Sequence, residues 1–324
     1  MSKITKKATQ KPTRKTAKKP QYSVVVLLPA YNEEEGLRHV IDGFRKSLPH
    51  ARIIVCDNNS SDKTSQVAKK AGAEVFFQPL EGKGNAMRRL FREIVADVYI
   101  MCDADGSYDA SAAPMLVSTL VDDKLDMVVA ARDSSDETYR PGHAVGNRIF
   151  SWAMGAAFGK YFEDIFSGYR VFSRQFIKSF PMMSDRFEIE AEMTIHALEL
   201  RLSFADIPVP FFDRVGGESK LSTFADGRRI AWLMMKLYRD QQPLRFFTFG
   251  AFIIGLFSLA VGIPVIVEFL KTGSVTRMPS AILAVGLAGG AALSFTCGVI
   301  LDTVKRGRIQ QKMQAYLDAG EGER

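Results

Sequence analysis

Val98-Tyr99-Ile100-Met101-Cys102-Asp103-Ala104-Asp105 sets an uncharged run directly against two carboxylates one residue apart. Residues 98–102 have no polar interruption, the pattern of a strand buried on both faces of a parallel sheet. Side chains two apart on an extended chain point the same way, so Asp103 and Asp105 can aim at one hard cation. Oxygen donors suit Mg2+ or Mn2+ together with a diphosphate. The same Asp-x-Asp pattern also occurs in ordinary acidic turns, so its meaning rests on its surroundings.

Working outward, short β-branched runs at 23–28, 52–57, 74–78 and 127–131 alternate with helical patterns at 34–47, 62–71, 84–94 and 112–121. Such alternation predicts an α/β fold with a Rossmann-like, mostly parallel sheet. Ser61 or Asp62 is a natural N-cap for the second helix. Ligand sites of open parallel sheets lie outside the carboxyl ends of the strands. Tyr31, Asn32, Glu33, Asp57, Asn58, Asn59, Asp103 and Asp105 all fall there. Residues 144–210 read as a more irregular second half, with helices at 144–158 and 189–200. Cys56, Cys102 and Cys297 fit no metal spacing and read as packing residues, the first two turned away from the neighbouring carboxylates.

The 324 residues carry a net charge of +7, and the average conceals unlike segments. Eight Lys and Arg residues between Lys3 and Lys19 account for more than all of the excess; without them 35 basic residues face 36 acidic ones. Residues 1–21, with no acid and little apolar content, are expected to be a disordered basic tail without the apolar core of a signal peptide. Attraction to anionic lipid and simple solubilisation both suit the tail. Nucleic-acid binding has no supporting motif or interleaved aromatics.

Residues 246–267 and 278–301 contain no charge. Each run is long enough to cross a hydrocarbon core of ~30 Å at 1.5 Å per residue, which predicts transmembrane helices at 246–270 and 279–301. Arg228, Arg229, Lys236, Arg239 and Arg245 precede the first span, Lys305, Arg306, Arg308 and Lys312 follow the second, and the loop between holds only Lys271 and Arg277. Basic flanks place both termini in the cytosol. An amphipathic interfacial helix is expected at 224–239, within an approach segment 222–245, and a cytosolic tail at 302–324. Gly286, Gly289 and Gly290 permit close helix packing, which is compatible with a homo-oligomer but leaves the oligomeric state open.

Pro29-Ala30-Tyr31-Asn32-Glu33, Asp57 to Asp62, Gly82-Lys83-Gly84-Asn85-Ala86 and Asp103-Ala104-Asp105, in that order, resemble family 2 glycosyltransferases of the GT-A fold. Asp164 to Arg170, Phe187-Glu188-Ile189-Glu190 and Gly217 to Leu221, followed by two apolar spans, are similar to the polyprenyl-phosphate branch. That branch includes dolichol-phosphate mannose synthase and bacterial GtrB-type enzymes, and the resemblance covers about 22–312. It implies a GT-A domain at 22–221. The implied reaction is metal-dependent, inverting transfer of one sugar from a nucleoside-diphosphate sugar, UDP-hexose before GDP, to polyprenyl phosphate. The implied location is the cytosolic face of a membrane, the bacterial inner membrane first.

The resemblance assigns Pro29, Tyr31, Glu33, Asp57, Lys83, Asp103, Ala104 and Glu190 to the nucleotide sugar. It assigns Asp103, Asp105 and Ser107 to the metal, Ser107 standing where the dolichol-type pattern has Gln. A Gly-Lys-Gly turn without a ligand is the alternative for Lys83. A lipid phosphate is already an anion at neutral pH and needs no base, only desolvation and positive charge. Arg132 and Arg170 are candidates for that charge at the reacting centre, with Arg148, Ser151, Arg214 and Lys220 for the acceptor and diphosphate. Asp164 either positions the nucleophile, the first reading, or acts as a nominal base.

Glu188 and Glu192 lie one helical turn apart, as do Glu192 and His196, but neither pair shows a third ligand of a second metal, so they read as a polar helix face. His39, His50 and His143 read as structural. A processive polysaccharide synthase would carry a Gln-x-x-Arg-Trp motif and more spans, and a non-catalytic scaffold would have damaged donor motifs. Neither pattern is present.

Overall fold

The computed structural model describes residues 22–132, 164–183, 189–214, 235 and 238–321. The basic tail, the helix expected at 144–158 and nearly all of the amphipathic stretch 224–239 lie outside the described residues.

Strands β1 (Val24–Ala30), β2 (Arg52–Asp57), β3 (Glu74–Phe77) and β4 (Val98–Met101) alternate with helices α1 (Leu37–Ser47), α2 (Thr64–Lys70) and α3 (Lys83–Glu93). A 3-10 turn at Ala110–Ala112 leads into α4 (Ala113–Asp122), and β5 (Met127–Arg132) follows. Farther along come β6 (Arg170–Ser173), α5 (Arg174–Ser179), α6 (Ile189–Glu199) and β7 (Phe204–Val209). Helices α7 (Pro243–Thr272) and α8 (Met278–Glu321) complete the described chain. The expected strands match to within a residue or two. Helix α1 starts three residues later than expected because the amides of Asn32, Glu33 and Glu34 donate to Ser60, Thr64 and Asp62 side chains instead of entering a helix.

The seven strands form one sheet in the order β3-β2-β1-β4-β6-β5-β7. Strands β1 to β4 are mutually parallel and β5 is parallel to β7, but β6 runs antiparallel to both of its neighbours. The sheet is therefore mixed. Strand β1 shows why the apolar runs are continuous: Val25 and Leu27 enter one core, while Val24, Val26, Leu28 and Ala30 enter the core on the opposite face. Cys56 and Cys102 also lie in opposite cores. Burial pushes the Cys56 thiol up to about 12 and raises Cys102 above its usual value, as suits packing residues.

Strands β6 and β7 were not foreseen. Strand β6 opens on charged Arg170 and runs directly into α5, and β7 includes Pro208. The consequence of β6 is local but large. Its register sets Arg170 opposite Met101, so the residues just before β6 lie beside those just after β4.

Helices α7 and α8, with 30 and 44 residues, extend ~45 and ~66 Å at 1.5 Å per residue. Both are long and apolar enough to cross a membrane, and only 6% and 11% of their most apolar windows are buried inside the protein. A core helix of a soluble protein would bury that surface. Gly273 caps α7 in the left-handed region with φ 71°, its amide bonded to Phe269 O at 2.8 Å. The hairpin closes where Gly262 meets Ala284 and where Gly298 meets Phe247, a built Cβ coming within 3.3 and 2.9 Å of the facing side chain. Gly286 and Gly289 have nothing within 4 Å at their Cβ positions, so they take no part in this closure.

Through residues 302–321, read above as a tail, α8 continues unbroken. They are rich in good helix formers, and Asp302 pairs with Arg306 one turn on at 2.9 Å.

His196 lies buried on α6 with its ring edge-on to Phe176 and Phe180, centroids 5.2 and 5.3 Å away, and its Nε2 is 3.2 Å from Ser179 Oγ. Glu192 instead accepts from the Met183 amide, and α6 is buried over most of its length, so His196 is a packed core residue and not part of the polar helix face expected there. Burial, aided by the charge of Lys312, pushes the His196 pKa down to about 3. The unfolded chain takes up this proton near pH 6.5 and the folded one only near 3. Stability present above pH 6.5 is thus lost progressively as pH falls towards 3. Thermal melting in detergent from pH 7 to 4 should show this loss, and His196→Gln should flatten it.

Candidate active site

The carboxyl ends of β1 and β2 are tied by their loops. Asn32 adopts a left-handed φ of 55°, which asparagine tolerates, and its side-chain oxygen accepts from the Ser61 amide at 2.8 Å. Glu34 in turn accepts from the Lys63 amide at 3.0 Å. Asp62 accepts from the Thr64 amide at 2.9 Å, close to the expected capping role, although α2 begins at Thr64 itself. Asp57 is buried and accepts from the Ser60 amide at 2.9 Å and from Ser65 Oγ. Each of its oxygens keeps a second lone pair for a ligand. Pro29 is half-buried at the end of β1 and Tyr31 is exposed just beyond it.

Asn58 was read only as one of the strand-end polar residues, without a role of its own. It proves to be the brace between the β2 loop and the start of α3: its Nδ2 donates to Gln78 O and Leu80 O at 3.2 and 2.6 Å, and its Oδ1 accepts from the Gly82 amide at 2.7 Å. Gly82, at φ 123°, then turns the chain so that α3 begins with Lys83.

Lys83 projects to the end of β4. Its Nζ lies 2.5 Å from Asp103 Oδ1 and also bonds Glu190 Oε1 at the start of α6. Burial alone would pull this ammonium down, but the two carboxylates outweigh it and hold Lys83 above its ordinary value. The alternative of a mere Gly-Lys-Gly turn does not describe this lysine. Ala104 is buried between the two aspartates. Asp105 Oδ1 accepts from the Ser107 amide and hydroxyl at 3.0 and 2.6 Å, so Ser107 orients Asp105. Arg214 bonds Glu33 and lies 3.7 Å from Asp105 Oδ2.

Gly168 explains why the antiparallel strand matters here. A Cβ at this position would stand 2.2 Å from Asp103 Oδ2, so only glycine leaves room for that carboxylate. Tyr108 holds the glycine in place, its hydroxyl accepting from the Gly168 amide at 2.9 Å while its ring packs edge-on against Tyr169 and Phe211. Sequence reasoning quoted Gly168 within its motif without a role and missed Tyr108 altogether.

Arg132, at the end of β5, makes a bidentate pair with buried Asp164, Nε to Oδ2 at 2.6 Å and Nη2 to Oδ1 at 2.8 Å. Its guanidinium carbon lies 5.4 Å from the centre of the Phe211 ring. Arg170 requires a correction. It is fully buried, and its guanidinium donates to Ser167 O at 2.9 Å, to Thr194 Oγ1 at 2.9 Å and to Ile165 O. It fastens the 164–169 loop to α6 rather than facing a ligand. Burial pulls its pKa below the usual arginine value despite the nearby carboxylates of Glu190, Asp164 and Asp206. Arg148, Ser151 and Lys220 lie outside the described residues.

The donor set fits a hard divalent ion. Asp103 and Asp105 are the expected carboxylates, with side chains 32% and 20% exposed at the strand ends. Among the described residues no three His, Cys, Asp or Glu side chains converge. Two protein carboxylates with substrate phosphates completing the shell is a common Mg2+ arrangement. Among the described residues the ion-paired groups here are Lys83, Arg132 and Arg214 against Glu33, Asp103, Asp105, Asp164 and Glu190, an excess of acid that a dication offsets.

Residues 25–180 match the model of glycosyl transferase family 2. Glycosyltransferase AglJ of Haloferax volcanii is 33% identical over 248 residues, 74% of this chain and 79% of AglJ. The dolichyl-phosphate hexose transferase of the same organism is 25% identical over 224 residues, 68% of this chain and 95% of the relative. A crystal structure of glucosyl-3-phosphoglycerate synthase from Mycobacterium tuberculosis, in complex with Mn2+, UDP and glucosyl-3-phosphoglycerate, superposes with a TM-score of 0.55 at 22% identity. The match covers 67% of this chain and 79% of that one, a likeness of fold. The chain belongs to glycosyl transferase family 2. It is a glycosyltransferase whose sheet, carboxylate pair and loop-lined strand ends form a GT-A-like domain.

Gly168→Ala should displace the Asp103 carboxylate while leaving the rest of the sheet in place. We expect glycosyl-transfer kcat/KM to fall at least a hundredfold, with far-ultraviolet circular dichroism unchanged. Near-normal transfer would show that Asp103 can shift without consequence.

Proposed function

We propose that this enzyme transfers one sugar, with inversion, from a nucleoside-diphosphate sugar to polyprenyl phosphate at the cytosolic face of a membrane. The observation that carries the reading is the cluster at the β4 end, where Asp103 and Asp105 stand beside buried Lys83 on a chain that also bears an apolar hairpin. The Mn2+ and UDP of the solved relative support a divalent ion and favour UDP-hexose over a GDP sugar. The name of the dolichyl-phosphate hexose transferase relative supports a lipid-phosphate acceptor. Basic residues flanking the hairpin on its outer sides support cytosolic termini, with the bacterial inner membrane as the first assignment.

Asp103 and Asp105 would hold Mg2+ or Mn2+, which when bound neutralises charge on the departing diphosphate. Lys83, locked by Asp103 and Glu190, adds a fixed cation that needs no reorganisation during transfer. Pro29, Tyr31, Glu33 and Asp57 line the strand ends where base and ribose would lie, and the stitched loops keep that surface preformed. A phosphate oxygen of the acceptor attacks the anomeric carbon as the bond to the diphosphate oxygen breaks, and the bonding pair leaves with the nucleoside diphosphate. That oxygen is already anionic, so proton removal is unnecessary. Asp164 uses both oxygens to orient Arg132, which supports positioning over general-base action. Arg214 beside Asp105 and Arg132 held by Asp164 can offset repulsion between acceptor phosphate and donor diphosphate.

Membrane-embedded protein should be incubated with a panel of nucleotide sugars and polyprenyl phosphate, and its lipid products identified by mass spectrometry. One donor should yield a monoglycosylated lipid phosphate. Asp105→Ala or EDTA should lower its formation at least a thousandfold, excess Mn2+ restoring the chelated enzyme but not the variant. Undiminished product after either treatment would remove the metal from the mechanism.

Lys83→Met should also lower turnover by a hundredfold or more, because it leaves buried Glu190 unpaired as well as removing the cation. Lys83→Arg tests the alternative of charge alone, since it keeps the charge but does not fit the same two-carboxylate geometry. Single-turnover assays on both variants separate the two effects.

A further inference from the structure

Helix α8 does not stop at the end of its apolar run. Residues 302–321 add ~30 Å of helix at 1.5 Å per residue, in line with the span that precedes them. Lys305 Nζ bonds Gln241 O, tying α8 to the residues just ahead of α7. Beyond this point Ile309, Met313 and Tyr316, at i, i+4 and i+7, pack against the sheet core on one face. Lys312 pairs with Glu199 at 2.7 Å, and Glu199 is only 7% exposed. Gln175 donates to Tyr316 O at 2.8 Å, and a Cβ at Gly320 would come within 2.7 Å of that glutamine nitrogen.

The Tyr316 hydroxyl donates to Asp126 Oδ1 at 2.8 Å. Asp126 is where three strands are joined. Its Oδ2 accepts from the Ser203 amide and hydroxyl at 3.0 and 2.8 Å, and its carbonyl accepts from the Ser173 amide at 3.0 Å. Strand β5 leads from this junction to Arg132, and β6 leads back from it to the Gly168 loop. A flexible tether that merely kept the domain near a membrane would need none of these contacts.

We propose that residues 302–321 are a rigid strut that holds the transfer site at a fixed position relative to the apolar spans, with Tyr316 as a positioning residue. The inference rests on the proposed lipid-phosphate acceptor, whose reacting oxygen is confined to the membrane surface. A site that must meet such a group gains from being held at one height, because orientation and distance are then settled before the substrate arrives.

The test uses the full chain in lipid vesicles with two acceptors, long-chain polyprenyl phosphate in the bilayer and a short, water-soluble prenyl phosphate. Seven helix-forming residues inserted between Arg306 and Gly307 add two turns, preserve the docking face to within about 20° and move the domain outward by about 10 Å. The expected result is at least a tenfold fall in kcat/KM for the bilayer acceptor with less than a twofold change for the soluble one. Unchanged use of the bilayer acceptor, or equal loss with both, overturns the strut.

Should the insertion not fold, Lys312→Glu and Glu199→Lys serve instead. Each alone should raise KM for the bilayer acceptor severalfold at unchanged kcat for the soluble one, and the charge-swapped pair should restore it. Inert single variants, or a pair that restores nothing, overturn the proposal. If the unaltered protein glycosylates neither acceptor, the acceptor assignment fails and the strut is judged separately. With the exposed thiol removed by Cys297→Ser, spin labels at Lys178→Cys and Leu317→Cys should then give one narrow separation in vesicles, and a broad distribution would overturn docking.

Discussion

Lys83 lies between Asp103 and Glu190, and through it the two halves of the catalytic domain meet. The lysine comes from the start of α3, Asp103 from the end of β4, and Glu190 from α6, which lies far along the chain. A buried ammonium is costly unless paired and hydrogen bonded, so both carboxylates have to be delivered accurately. The rest of the site can be understood as the means of delivery. Asn58 and Gly82 aim α3, Gly168 leaves room for Asp103, and Arg170 fastens the 164–169 loop to the helix that carries Glu190. An inward-facing arginine thereby serves the site without touching its ligands.

That division between groups that bind and groups that brace runs through the whole constellation. Asp164 and Arg132 form one bidentate unit, and Ser107 spends its donors on Asp105. A carboxylate with its neighbours already arranged loses little freedom when a charged ligand arrives, which favours electrostatic stabilisation of a departing diphosphate. The apolar hairpin follows a different logic. Its helices leave large side chains such as Phe252, Leu256 and Phe257 uncovered by the protein, and close mainly where small residues admit a neighbour. Helix α8 joins the two regimes, apolar over one part of its length and amphipathic over the next.

Much of the fold was legible because hydrophobic runs and turn residues are local signals. Each parallel strand of the first half is continuous and apolar, each is followed by a helical pattern, and the polar residues collect after the strands. The second half was less legible. Strand β6 opens on a charged residue, closes on Ser173 and runs directly into a helix, so it shows no apolar run, and β7 contains a proline. The helical end of α8 was hidden for another reason: charges past residue 301 mark the end of an apolar run but do not end a helix, and its docking partners lie more than a hundred residues away.

The sequence by itself determined the alternating α/β plan, the strand-end placement of Asp57, Asp103 and Asp105, the apolar hairpin and the family, because periodicity, composition and short motifs are carried by neighbouring residues. Tertiary structure alone decided which charged groups are ligands in waiting and which are supports. Arg170 and Arg132 look alike in sequence, yet one is sealed among loop carbonyls and the other is held at a strand end by Asp164. The carboxylate pair on which the reading began likewise depends on a glycine 65 positions beyond Asp103 in the chain. Burial and the direction of a side chain are set by what packs against it, and an antiparallel strand brought those distant neighbours together.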